Sequence, residues 1–178
     1  MSSLLIIEDG SASSASANSF VTVAEVDAYC ENMGYTSWAS LATLAKEQAI
    51  LRGMVFIDCL NYKGWKTSFE NPLSWPRGGV YGDVRSDPYS LSYWSEYPTN
   101  EIPKALKRGC CEAAYEESVT AGVLLPTGDD NIKRTKIDVI EVEYFTNATS
   151  KKVFSKILAL MSEILQKTGS RTANILRT

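Results

Sequence analysis

Residues 62–101 set the strongest limit on the fold of this 178-residue chain, because neither a helical nor a strand period persists through them. The stretch contains three of the four tryptophans, most of the tyrosines and four of the six prolines. A structureless stretch of this length inside a compact domain is more often functional than idle. We expect a loop packed by its own side chains, or a surface that another subunit covers.

Helical patterns precede that stretch. Residues 22–25, Thr-Val-Ala-Glu, have the spacing of a capping box, and apolar residues recur at helical spacing after them. We therefore predict a helix over about 23–33 that Gly34 ends. A second predicted helix runs over about 44–61, with Thr43 as its N-cap and a broad apolar face.

Two further helices are predicted after the aromatic stretch. Asn100 caps the first of them, Pro103 lies in its first turn, where a missing N–H costs nothing, and Gly122 ends it. The second covers about 151–167, where apolar residues form a continuous helical stripe.

A strand pattern lies between those two helices. Ile140, Val142 and Tyr144 alternate with Glu141 and Glu143, which predicts a half-buried strand with an acidic outer face.

The fold class predicted from these patterns is mainly α. It is a small helical bundle of about four helices with a long aromatic and Pro-rich loop, one short β-hairpin or strand, and extended terminal arms. Residues 1–17 are predicted to form a flexible N-terminal arm, because 9–17 are small and polar. Residues 18–167 then form a single helical domain, in which 62–101 is a loop or insertion, and 168–178 form a C-terminal tail.

The absence of histidine limits the chemistry open to the chain. It excludes Ser-His-Asp and Cys-His catalysis and removes the commonest transition-metal ligand. The glycine-rich run at 75–83, WPRGGVYGD, lacks the spacing and the strand-to-helix context of a phosphate-binding loop. The four cysteines form no Cys-x-x-Cys pair and are expected to be buried free thiols. We expect no enzyme activity, no cofactor and no metal site.

The net charge and the hydropathy of the chain limit the classes of partner that it is expected to bind. A net charge of −3 counts against a large nucleic-acid footprint, which normally carries a basic stripe. No apolar run approaches the roughly 20 residues that span a bilayer, so we expect no membrane partner. Composition therefore favours binding or structure over catalysis.

Four stretches, taken together, resemble a known family. They are ANSFVTVAEVDAYCENMGYTSW at 17–38, LSWPRGGVY at 73–81, EIPKALKRGCCEAAYE at 101–116 and KIDVIEVEY at 136–144. Their order and spacing are similar to those of a family of small tailed-phage proteins, labelled DnaT-like single-stranded DNA-binding. The aromatic insertion at about 82–99 and the Ser/Ala-rich N-terminal extension depart from the usual pattern of that family.

The resemblance implies a structural part of the virion, because the family is similar in helical layout and genomic company to head–tail connector (adaptor, head-completion) proteins. It implies a non-enzymatic homo-oligomer, a ring of about twelve copies below the portal protein. Such a ring docks a downstream tail protein, a nozzle or stopper. It also extends the channel through which packaged double-stranded DNA passes without specific binding. Its location is the head–tail interface, and the host cytoplasm during assembly.

Ring subunits need lateral faces and arms that reach their neighbours. On the connector interpretation, we expect the subunit or partner interface to draw on both arms and on the aromatic loop. Its predicted residues are Leu4, Ile6, Trp75, Arg77, Tyr81, Tyr93, Trp94, Ile175 and Leu176. Glu141 and Glu143 are expected to face the channel, because an acidic face lets DNA pass and does not capture its phosphates.

The alternative is an accessory protein of phage replication that binds single-stranded DNA. In that interpretation the aromatic loop is a stacking platform, with Trp75 and Trp94 on the bases. Arg77, Lys104 and Arg108 hold the phosphates, so the affinity falls steeply with added salt.

Overall fold

The computed structural model of the protein describes residues 3–11, 15–83, 94–125, 134–137, 140–143 and 154–166. Its helices are α1 (Val23–Met33), α2 (Thr36–Ala39), α3 (Thr43–Asp58), α4 (Lys104–Val119) and α5 (Ser155–Leu160). Three antiparallel strand pairs accompany them: β1 (Trp65–Lys66) with β2 (Arg77–Gly78), β3 (Tyr81–Asp83) with β4 (Trp94–Glu96), and β5 (Arg134–Ile137) with β6 (Ile140–Glu143). The fold of the described residues is therefore mixed, with the helices that the sequence predicts and more strand pairing than it predicts.

Helix α1 begins and ends where the sequence predicts. The Thr22 hydroxyl accepts from the Glu25 backbone N–H at 3.2 Å, and the Glu25 carboxylate accepts from the Thr22 N–H at 2.8 Å. Gly34 follows the helix at φ +72°, in the left-handed region, and its N–H bonds to the last-turn carbonyls. Both the predicted capping box and the predicted stop are confirmed.

Helix α3 differs from the prediction at both ends. Ala42 occupies the N-cap position without a side-chain hydrogen bond, and Thr43 is already helical, so the predicted Thr43 cap is wrong. The helix ends at Asp58, earlier than predicted, because the aromatic loop forms hydrogen bonds with that residue. The Asp58 carboxylate accepts from the Ser74 N–H at 2.6 Å, and the Asp58 carbonyl accepts from the Ser74 hydroxyl at 3.0 Å.

Helix α4 begins later than predicted and ends in a turn organised by a buried carboxylate. Pro103 holds its N-cap position, so Asn100 does not cap it. At the other end the carboxylate of Glu117 accepts from the backbone N–H groups of Gly122, at 2.7 Å, and Leu124, at 3.0 Å. Arg52 of α3 donates to the same carboxylate at 3.1 Å, which neutralises its charge in the core.

Helix α5 is shorter than the predicted helix over about 151–167, of which 151–153 and 167 lie outside the described residues. The chain leaves the helix after Leu160 because its backbone then pairs with the end of the α3 region. The Ile164 carbonyl accepts from the Lys63 N–H at 3.0 Å, and the Asn61 carbonyl accepts from the Gln166 N–H at 2.9 Å.

Close helix crossings define the core. A Cβ added to Gly53 of α3 would lie 3.0 Å from the backbone of Ala113 and Ala114 in α4. Gly109 of α4 gives similar room to Met161, which follows α5 and is fully buried. Gly53 lets the backbones of α3 and α4 approach closely, and Gly109 makes room for the Met161 side chain, so α4 is the central element of the described core.

The N-terminal segment differs from the flexible arm predicted for 1–17 in the residues that the structure describes. The Ile6 N–H donates to the Asn18 side chain at 2.8 Å, and the Ile6 carbonyl accepts from the Asn18 N–H at 2.9 Å. Glu8, which is buried, donates its N–H to the Ser19 carbonyl at 2.8 Å. The physical reason is pairing of this segment with the chain just before α1.

The β5–β6 hairpin lies where the sequence predicts one short β-hairpin or strand. Its register pairs Lys136 with Glu141 and Arg134 with Glu143. Each acidic position of the predicted channel face is therefore opposite a basic position, and the two pairs together carry no net charge.

Candidate nucleic-acid interface

Part of the aromatic loop is built into the hydrophobic core of the protein, through Tyr62, Leu73, Trp75 and Val80. Trp75 has no exposed surface, and its ring meets that of Tyr62 edge-on at a centroid distance of 6.0 Å. The Tyr62 hydroxyl donates to the Ile57 carbonyl at 2.7 Å, and burial raises the pKa of Tyr62. A tryptophan enclosed in this way cannot stack on a base or touch a partner. The prediction that Trp75 lies at an interface is therefore corrected to a role in the core.

Arg77 is also a structural residue. Its guanidinium donates to three backbone carbonyls, those of Lys63 at 2.8 Å, Ser74 at 3.2 Å and Gly64 at 2.7 Å. Burial lowers its pKa, but a guanidinium remains charged in proteins. Because each of its three nitrogens donates to a carbonyl of the loop, Arg77 holds the loop together and is not the free phosphate ligand that the sequence predicts.

Three other aromatic side chains of the same loop face solvent. Trp65 is 65% exposed, Phe69 is fully exposed, and Tyr81 is about half exposed. Of these, only Tyr81 was among the predicted interface residues. Large exposed aromatics are the residues that stack on bases and that dominate protein interfaces, so we call Trp65, Phe69 and Tyr81 the exposed aromatics.

The charges near the exposed aromatics are mixed and largely engaged. The Lys66 ammonium donates to the Asn71 carbonyl at 2.7 Å, and the Lys63 ammonium donates to the Glu163 carbonyl at 2.6 Å. The Glu96 carboxylate accepts from the Gly79 N–H at 2.7 Å, which brings a negative charge to the same loop. The surface therefore offers ring faces to a ligand more readily than it offers free cations.

Lys104 and Arg108, the predicted phosphate ligands of α4, are exposed. Among the residues that the structure describes, no cation–π contact joins either of them to an exposed aromatic. Lys107, between them, binds Glu25 of α1 at 2.7 Å. The basic cluster thus joins α1 to α4 through its middle member.

The remaining predicted interface residues fall in two groups. Leu4 and Ile6 are partly exposed on the N-terminal segment, as an interface requires. Trp94 forms a backbone pair with Asp83 in the β3–β4 hairpin, and its side chain is not among the described groups. Tyr93, Ile175 and Leu176 lie outside the described residues.

A buried carboxylate cluster around Glu112 was not found from the sequence. Glu112, in the middle of α4, accepts hydrogen bonds from the hydroxyls of Tyr29 at 2.9 Å and Tyr35 at 3.1 Å, and pairs with Lys156 of α5 at 2.7 Å. Burial, then the bond to Glu112, raises the pKa of Tyr29. Tyr35 also stacks on Tyr115 at 3.8 Å and accepts from Lys156. The only sequence signal was a glutamate amid small apolar residues of α4.

An open cavity of about 400 Å³ lies where α1 ends. Its lining residues are Asp27, Cys30, Glu31, Gly34, Tyr35, Thr36, Trp38, Ala39 and Lys46. The Asp27 carboxylate accepts from the Trp38 indole at 2.6 Å and from Lys46 at 2.9 Å. Asp27 and Lys46 thus bond with each other, which stiffens the corner between α1, α2 and α3.

The cysteines are free thiols, as predicted, but not all are buried. Cys30, Cys110 and Cys111 are buried, whereas Cys59 at the end of α3 is exposed. Burial raises the pKa of Cys30 to about 11 and that of Cys111 to about 12. Among the described residues there is no cluster of metal-ligating side chains, and no described helix has the length and hydropathy to cross a membrane.

Comparison with known proteins gives one result. A family model described as "Putative DnaT-like ssDNA binding protein" matches residues 3–178. The chain belongs to this DnaT-like family. Neither the curated proteins nor the solved structures contain a match to the chain.

Proposed function

We propose that this chain binds single-stranded DNA through the exposed aromatics of its loop, by stacking and without catalysis or a cofactor. The observation that carries the proposal is that the aromatic side chains of the loop fall into a buried set and an exposed set. One set of aromatic side chains, around Trp75, fills a core, while Trp65, Phe69 and Tyr81 remain in solvent. Membership of the DnaT-like family supports the same conclusion.

Stacking fits the charge of this protein better than phosphate capture does. The chain carries a net charge of −3, and Arg77, Lys63 and Lys66 donate to backbone carbonyls. Base–aromatic stacking contributes roughly 1–3 kcal/mol per base and tolerates any sequence, because every base has a π-face. We therefore expect a shallower salt dependence than the steep one that the sequence suggests.

The test is fluorescence anisotropy of a labelled oligothymidine with the full chain at low salt, beside a duplex of the same length. The expected result is saturable binding of the single strand and much weaker binding of the duplex, whose bases have no free faces. Absence of binding to any single strand at low salt would overturn the proposal. Preference for the duplex would do the same.

The connector remains the second candidate, and a different observation favours it. Leu4 and Ile6 on the N-terminal segment, together with Leu44 at the start of α3, expose aliphatic surface. Exposed aliphatic groups of this kind suit contacts between subunits. Together with the four motifs at 17–144, they support a non-enzymatic ring subunit at the head–tail interface, between the portal protein and a downstream tail protein.

Quantitative mass spectrometry of purified virions tests this second candidate. A connector is expected at about twelve copies per particle, measured against the major capsid protein. Abundance in infected cells with absence from mature particles would overturn it.

A further inference from the structure

The indole of Trp65 lies across the backbone of two consecutive glycines. A Cβ added to Gly79 would lie 2.2 Å from Cζ3, 2.6 Å from Cη2 and 2.8 Å from Cε3 of that ring. A Cβ added to Gly78 would lie 3.2 Å from Nε1 and 3.4 Å from Cε2. The two glycines thus lie against the indole, and Trp65 is nevertheless 65% exposed.

The support under the indole is fixed by the loop. Trp65 is the strand partner of Gly78 in the β1–β2 pair. Gly79 has φ +71°, where a side chain is strained, and its N–H is held by Glu96. Gly64 has φ +67°, and a Cβ there would meet the Gly78 carbonyl oxygen at 2.1 Å. These three glycines keep the backbone flat and close beneath the ring.

Phe69, in contrast, is fully exposed and has no such support. A ring that already rests on backbone has lost most of its side-chain freedom before a ligand arrives. A free ring must lose that freedom on binding, which offsets part of the stacking energy. Of the two side chains, Trp65 is therefore the better prepared to take up a flat ligand.

We propose that the solvent side of the Trp65 indole is a stacking site for one unpaired nucleobase. The inference rests on the proposed binding of single-stranded DNA and specifies where a base is held. Its ligand is the π-face of a base, without a choice among bases, because the flat support of Gly78 and Gly79 supplies no recognition of base edges. Lys63 and Lys66, near this ring, each donate one hydrogen bond to a backbone carbonyl.

The experiment compares Trp65→Ala with Phe69→Ala in the anisotropy assay, using the full chain and labelled oligothymidine. Trp65→Ala is expected to weaken binding roughly 5-fold to 140-fold, the effect of one lost stacked base. Phe69→Ala, a matched loss of an exposed ring from the same loop, is expected to weaken it much less. Met33→Ala removes an exposed apolar side chain of α1 and is expected to leave binding unchanged.

A second variant keeps the aromatic residue and disturbs only its support. The Cβ of Gly79→Ala forces the Trp65 indole away from the glycine backbone, so binding is expected to weaken while Trp65 is still present. If the wild-type chain binds oligothymidine and Trp65→Ala binds equally well, the stacking site is overturned and the proposed function stands. If the wild-type chain binds no single strand, the proposed function itself has failed.

Discussion

At the scale of single residues, Glu112 is the least expected feature of the core. A buried carboxylate is tolerated only when charges and donors surround it, and here two tyrosine hydroxyls and Lys156 do so. The cluster joins residues of α1, α4, α5 and the turn after α1, which approach one another only in the folded chain. A side chain with this many partners from separate elements stabilises one particular arrangement of those elements.

Replacing Glu112 with Gln removes the charge and one acceptor while keeping the shape. The variant is expected to lower the free energy of unfolding by about 1–3 kcal/mol, because the buried donors lose a charged partner. Urea denaturation measures the change. Glu116→Gln on the same helix is the matched control, since its half-buried side chain has no hydrogen bond to a described residue. Equal effects of the two variants would contradict the stabilising role that we assign to the Glu112 side chain.

The tryptophans show what a sequence leaves open at this scale. Aromatic density predicted that the loop was important, but Trp75 was assigned to the surface and Trp65 was passed over. Trp75 is buried partly because the ring of Tyr62 packs against it, and Tyr62 is held by the Ile57 carbonyl at the end of α3, an arrangement that no helical or strand period reveals. The glycine backbone under Trp65 likewise depends on a strand register between residues 65 and 78, and no local pattern reveals that register.

At the scale of elements, local sequence signals were reliable where local chemistry decides. The capping box of α1 uses the side chains of Thr22 and Glu25, which lie within one turn, so spacing alone identifies it. Helix ends set by distant partners were misjudged. Ser74 holds the end of α3, and the pairing of Lys63 with Ile164 ends the last helix.

The cap gives a direct comparison between two threonines. Thr22→Ala is expected to reduce the free energy of unfolding by about 0.5–2 kcal/mol, because it removes a bonded N-cap. Thr43→Ala is expected to change it little, since Thr43 is exposed and does not cap α3. Denaturant unfolding of both variants tests the assignment, and a larger loss for Thr43→Ala would reverse it.

Glu25 also gives the α1 cap a pH dependence. Burial raises its pKa, but the bonds from Lys107 and from the Thr22 N–H outweigh burial and lower the pKa below the ordinary value. Because the folded pKa is the lower one, the contribution is complete above about pH 4.3 and is lost as the pH falls further. Glu25→Gln is therefore expected to lose less stability than wild type between pH 6 and pH 3, as measured by urea unfolding.

The α3–α4 crossing reverses the usual effect of a glycine. In an exposed helix Gly→Ala is stabilising by about 0.5–1 kcal/mol. At Gly53 the new Cβ would meet backbone atoms of Ala113 and Ala114 at 3.0 Å, which cannot move without separating the helices. Gly53→Ala is therefore expected to lower the free energy of unfolding by about 1–3 kcal/mol. A stabilised variant, detected by thermal unfolding, would show that the crossing is looser than described.

At the scale of the whole molecule, the N-terminal segment belongs to the folded body. Besides its bonds to Asn18 and Ser19, it reaches α3, where the Ser3 hydroxyl donates to buried Glu47 at 2.7 Å. Deleting residues 1–10 is expected to lower the free energy of unfolding by at least about 2 kcal/mol. An unchanged unfolding midpoint would indicate a free arm, as the small polar residues at 9–17 suggested. The polar composition misled because backbone hydrogen bonds hold this segment, and because Leu5 and Ala17 pack into the hydrophobic core.

The exposed position of Cys59 has a practical consequence for handling the purified protein. Its three fellow thiols are enclosed, so air oxidation is directed to one surface point per chain. Two chains joined there would run as a dimer during gel filtration and as a monomer after addition of dithiothreitol. Without reductant, the size measured by gel filtration would therefore depend on how far Cys59 has been oxidised. A Cys59→Ser chain avoids this effect in studies of assembly.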